Sequence, residues 1–87
     1  MKTIYKYPIQ IADSQTIWIP SGAKNLHVGL DPQGDPCLWA AVDTNAPDRP
    51  VTILIIGTGN GIAANLEVGP HIGSFSQGTF MWHVFLG

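Results

Sequence analysis

A single cysteine, Cys37, means this 87-residue chain cannot close an internal disulfide or supply a four-thiolate metal site. Charge is equally scarce: 4 Lys and Arg stand against 6 Asp and Glu, for a formal net charge of −2. That balance lacks the basic footprint that binding a phosphate backbone requires, so direct nucleic-acid binding is not expected. Asp, Pro or Gly interrupts every apolar stretch well before the length a membrane helix needs, and no membrane partner is expected. Tyr5, Lys6, Tyr7 and Pro8 likewise break any signal-peptide core. Together with the lone cysteine, this reads as a cytoplasmic protein, kept in a reducing compartment.

What is present is apolar material, at 45% of residues, which is too much for a disordered segment. The length allows one domain, residues 1–87, with one small core. No repeat, charge run or low-complexity segment marks a linker. Few charges and a low net charge favour association, so a homo-oligomer or a partner-bound protein is expected.

The 10 glycines and 7 prolines fall between short runs rich in Ile, Val and aromatics, the spacing of a β-protein. The fold expected is all-β, a compact antiparallel sandwich or partly closed barrel of about seven strands. At most one short helical turn fits near 61–66.

The first strand is read from Thr3 to Ile11, with Tyr5, Tyr7, Ile9 and Ile11 on one face and Pro8 marking a sheet edge or bulge. Thr16–Ile19 follows, with Ile17 and Ile19 opposed to Trp18. Between Lys24 and Asp43 the segment DPQGDP reverses the chain. Setting Asp31 against Pro36 pairs Leu30 with Cys37, Val28 with Trp39 and Leu26 with Ala41, which gathers six apolar side chains on one face. Val51–Ile56 reads as a central strand buried on both faces. Pro70–Phe75 and Gly78–Leu86 complete a C-terminal hairpin, with Phe80, Trp82 and Val84 opposed to Met81, His83 and Phe85.

Sites are harder to find. ILIIGTGNGIAANL has the outline of a dinucleotide-binding turn, but Ile62 stands where the third glycine belongs and no acidic residue follows at the required distance. A glycine-rich turn is the better reading. A weaker version keeps Gly57, Thr58, Gly59, Asn60 and Gly61 as a backbone nest for one phosphate or carboxylate, with Trp82 stacking on a base. His27, His71 and His83 show no metal-ligand spacing, so solvated or singly hydrogen-bonded imidazoles are expected, and neither metal nor cofactor. The serines lack a nucleophile elbow and a nearby histidine–acid pair. Cys37 reads as a small buried hydrophobe. Trp18, Met81 and Phe85 are the residues that would form an outer apolar patch for a partner.

MKTIYKYPI, IPSGAKNLHV, PCLWAAVD, IIGTG and GTFMWHVF resemble segments of a group of small phage and prophage proteins of undefined domain function. The likeness covers nearly the whole chain and brings no catalytic motif. Within that group, the chain is similar to inhibitors of type I CRISPR–Cas systems, the I-C type in particular. The resemblance implies a non-enzymatic protein that binds the Cas surveillance complex and blocks recruitment of target DNA.

On that expectation, contacts would come from Asp31, Gln33 and Asp35 at the hairpin tip, Asp43 and Asp48 near the 43–50 loop, and Trp18. Carboxylates there would engage basic residues that otherwise hold nucleic acid. Two other readings are a protein that sequesters a nucleotide signal at Gly57–Gly61, and a structural or accessory virion component.

Overall fold

The computed structural model describes all 87 residues, and every regular element in it is a strand. These are β1 (Lys2–Pro8), β2 (Ser14–Pro20), β3 (Lys24–Leu30), β4 (Pro36–Asp43), β5 (Asp48–Gly57), β6 (His71–Gln77) and β7 (Phe80–Leu86). They form one sheet in the order β1-β4-β3-β6-β7-β5-β2, curled into a half-barrel. Segment 61–66 is irregular, with one turn closed by the Leu66 N–H donating to the Ala63 carbonyl.

Local chemistry explains most strands. In β2 the branched Ile17 and Ile19 point into the curl while Thr16 and Trp18 point out. In β5, Ile53, Leu54 and Ile55 are all buried. Ile53 and Ile55 enter the core, and Leu54 faces outward into a groove it shares with Leu66 of the 58–70 connection. The core inside the curl is Ile9, Ile17, Ile19, Val28, Leu38, Ile53, Ile55, Phe75 and Val84. Only 16 residues are buried in all, so much of the apolar material lies at the surface.

Four features differ from the sequence reading. The first strand stops at Pro8; Ile9 makes one more bond to the Pro36 carbonyl and enters the core, but Ile11 is exposed. Pro8 does mark an edge strand, since β1 closes one side of the sheet.

The β3–β4 register is one residue away from the expected one. Leu30 faces Pro36, Gly29 faces Cys37, Val28 faces Leu38 and His27 faces Trp39. Asp31 fixes the register from the turn: its N–H donates to the Asp35 carbonyl at 2.8 Å and its carboxylate accepts the Gln33 and Asp35 N–H groups at 2.9 Å, which sets it opposite Asp35 and not Pro36. Leu38 therefore enters the core and Trp39 goes outside, where it stacks on His27 at 5.5 Å.

The sheet is mixed. β3 and β6 run parallel, meeting at Val28 and Gly73. Because β5 and β6 both run antiparallel to β7, they share a direction, and the 58–70 connection must carry the chain back along the sheet. Finally, the C-terminal hairpin turns at Gly78-Thr79, with Gln77 opposite Phe80.

Candidate functional site

The register sorts the loops onto two rims. The Asp31–Asp35 turn, the Gly57–Gly61 segment and the Gly78-Thr79 turn share one rim, and Asp43 and Asp48 lie at the other. With β4 eight residues long, the two acidic groups stand roughly 25 Å apart. The five acidic and polar contact residues expected from sequence therefore do not form one patch.

Their individual roles differ as well. Asp31 is buried and internally bonded: besides the two turn amides, it holds Lys6 Nζ at 2.7 Å and lies 3.8 Å from Cys37 Sγ. The Lys6 ammonium and the Asp35 amide hold its carboxyl below the ordinary value. Gln33 and Asp35 remain exposed on the turn. At the far rim, Asp43 accepts the Asn45 N–H at 3.0 Å, which lowers its carboxyl too. Asp48 is exposed opposite Pro20.

Trp18 is 60% exposed on the outer face of edge strand β2. Met81, 41% exposed, shares that face, but through the β5 registers Trp18 sits beside Pro50 and Met81 beside Thr58. Eight residues of β5 separate them, about 26 Å. Trp18 and Met81 are therefore too far apart to touch, and half-buried Phe85, opposite Leu54, lies between them on the same face.

The glycine-rich segment does meet Trp82. Gly57, Thr58 and Asn60 line a shallow pocket with Thr79, Phe80, Met81 and Trp82. The segment is poorly suited to hold an anion, because two of its amides are turned inward. Thr58 N–H donates to the Met81 carbonyl at 3.1 Å and Asn60 N–H to the Gly57 carbonyl at 3.0 Å. Gly59 has φ +82°, which favours glycine at this turn. The Asn60 amide and the Trp82 ring crowd Gly57 so closely that a Cβ there would lie 2.7 Å from Asn60 Nδ2. Phe80 stacks on Trp82 at 6.1 Å and is itself 64% exposed. Trp82 Nε1 is buried with no acceptor.

The arrangement this produces is an apolar rim with polar neighbours. Exposed Phe80 and Met81 follow the Gly78-Thr79 turn, and β6 places that turn next to β3, whose last residue, exposed Leu30, leads into Gln33 and Asp35. Apolar anchors bordered by polar groups match the composition of protein-binding surfaces.

A second cluster lies on the outer face of β6 and β7. Ser74 Oγ is 2.9 Å from His71 Nε2 and 3.0 Å from His83 Nδ1, and His83 Nε2 is 2.7 Å from Thr58 Oγ1. Expected as isolated or singly bonded, His83 is bonded through both ring nitrogens. Ser74 likewise has two histidine neighbours that the sequence reading did not find, although no carboxylate bonds to either ring. The missed signal was the two-residue Gly78-Thr79 turn, which by counting back sets Ser74 opposite His83. His27 is elsewhere, its Nδ1 2.8 Å from the Asn25 carbonyl, and no three His, Cys, Asp or Glu side chains converge as a metal shell.

Fold and loops together define an all-β half-barrel domain with a loop-built rim. The chain matches the domain of unknown function DUF7352 over residues 1–87 and belongs to that family. No curated protein and no solved structure matches it.

Proposed function

We propose that this DUF7352 protein is a non-enzymatic phage counter-defence protein, an inhibitor that binds a type I CRISPR–Cas surveillance complex and blocks target-DNA recruitment. The observation that carries the reading is that one rim of the sheet carries exposed Phe80 and Met81 at the start of β7 and, two strands away, exposed Leu30, Gln33 and Asp35. Aromatic and methionine side chains supply the desolvated centre of a contact, and acidic neighbours complement basic residues that otherwise hold DNA phosphates. The likeness of the strand and turn segments to small phage proteins supports the same reading. With Asp31 bonded inside the fold, the contact this reading uses on the rim is one carboxylate, Asp35, beside the neutral amide of Gln33.

The test uses a purified type I-C surveillance complex and labelled target DNA in a gel-shift assay. Equimolar protein is expected to abolish the DNA shift. Phe80→Asp and Asp35→Arg, both at exposed positions, are expected to restore it while leaving the circular dichroism spectrum unchanged. DNA binding that persists with excess wild-type protein overturns the reading. Inhibition that survives both substitutions overturns the rim as its site.

A further inference from the structure

The two free edges of the sheet, β1 and β2, differ in what they offer another chain. Hydrogen bonds fix which residues face outward. On β2's inner side the Asp13 carbonyl accepts the Ile55 N–H at 3.1 Å, and Ser21 N–H donates to the Pro47 carbonyl at 2.8 Å. In an antiparallel ladder the direction alternates, so Ser14, Thr16, Trp18 and Pro20 point their backbone polar groups away from β5. On β1 the Met1 carbonyl and the Ile9 N–H face β4, which leaves Lys2, Ile4, Lys6 and Pro8 facing outward.

The β1 edge is guarded. Pairing it with itself about Ile4 sets Lys2 against Lys6, and like charges directly opposite one another oppose pairing. From Ser14 to Pro20, by contrast, β2 carries no charged residue, and its only non-donor is Pro20 at the end. Its outer face presents Trp18 to solvent. An uncharged strand edge of this length is a template for strand addition.

We propose that β2 is a homodimer edge, at which two copies of this chain pair antiparallel about a two-fold axis through Ile17. That axis matches every outward group with an outward group. Thr16 of one copy and Trp18 of the other exchange two hydrogen bonds, and the symmetric pair does the same. Ser14 falls opposite Pro20, which has no donor and whose carbonyl already accepts the Ala23 N–H at 3.3 Å, so the ladder rests on the four central Thr16–Trp18 bonds and its weak positions fall at the two ends. The two Trp18 indoles then lie diagonally across the axis, within aromatic reach. On the inner face Ile17 meets Ile17. A surface complementary to itself closes as a two-fold dimer, whereas β1-to-β2 pairing would run on as a filament. The inference is independent of the partner proposed above.

Sedimentation equilibrium across the micromolar range tests it on wild type, Thr16→Pro, Trp18→Lys and Ile4→Lys. Wild type and Ile4→Lys are expected at twice the 9.3 kDa chain mass. Thr16→Pro removes only an outward donor, and Trp18→Lys puts two ammonium groups near the axis. Both are expected at the monomer mass with unchanged circular dichroism, and Trp18→Lys decides alone if the proline variant fails to fold. A monomeric wild type, a mass that grows without limit, or a dimer that survives Trp18→Lys overturns the proposal.

Discussion

Lys6 Nζ lies 2.7 Å from Asp31 Oδ2, an ion pair that ties edge strand β1 to the β3–β4 turn across 25 residues of sequence. The Asp31 side chain is nearly enclosed while that of Lys6 is half exposed, so the two ends of the pair are not equivalent. Removing Asp31 also strands two turn amides, whereas removing Lys6 leaves the turn closed. Asp31→Ala is therefore expected to lower the urea midpoint more than Lys6→Met. The reverse order would show that the charge pair outweighs the turn.

The same pair sets a pH dependence. Asp31 titrates below its ordinary value of 3.8 in the folded chain, chiefly because of Lys6, so its stabilisation is complete above 3.8 and fades as pH falls through the lower folded value. Lys6, bonded to Asp31, titrates above its ordinary 10.5, so its share is complete below 10.5 and fades only at higher pH. Urea midpoints are expected to fall at the acid end, and less steeply in Asp31→Asn, where Asp43 contributes the remainder.

Gly73 is expected to tolerate no side chain. It has φ +153° where β6 runs beside β3, and an added Cβ would come within 2.8 Å of both the backbone N and C of Val28. Backbone cannot swing aside as a flexible side chain can, so the parallel pair would have to separate. Gly73→Ala should cost more than about 3 kcal/mol, measured by chemical denaturation.

Cys37 is buried, and burial raises its thiol pKa. A disulfide-exchange reagent at neutral pH is expected to label it slowly in the folded chain and rapidly in urea. Asp31→Ala, by loosening the turn beside it, should speed the folded-state reaction.

The bonds at Ser74 imply a directed chain. If Thr58 Oγ1 donates to the Met81 carbonyl 3.5 Å away, it accepts from His83 Nε2–H, which leaves His83 Nδ1 to accept from Ser74. Nitrogen NMR at neutral pH should find His83 as the Nε2–H tautomer. Thr58→Val removes the acceptor on Nε2 and should mix the two tautomers; an unchanged spectrum would show that Thr58 does not direct the ring.

Much of this fold is legible along the chain. Alternation placed Ile17 and Ile19 inside, Trp82 and Val84 opposite His83, and the apolar run of β5 under cover on both faces. The site was less so. A turn-capping role for Asp31 in DPQGDP is legible from the sequence, and its carboxylate does cap the turn; its burial against Lys6 of a distant strand, which withdraws it from the expected contacts, is not. Ser74, His71 and His83 share a cluster because a tight turn aligns their strands, and the residue inserted at Ile72 shifts the register that brings His71 to Ser74.

What the sequence determined by itself is that this chain forms short strands with one apolar side, since a strand's two faces follow from successive side chains alone. The tertiary structure decided that β2 is the second edge, that β3 and β6 run parallel, and that the acidic loops part to opposite rims. Those outcomes depend on closing long loops so that distant backbone groups pair, and on a one-residue choice of register that moves every side chain to the other face.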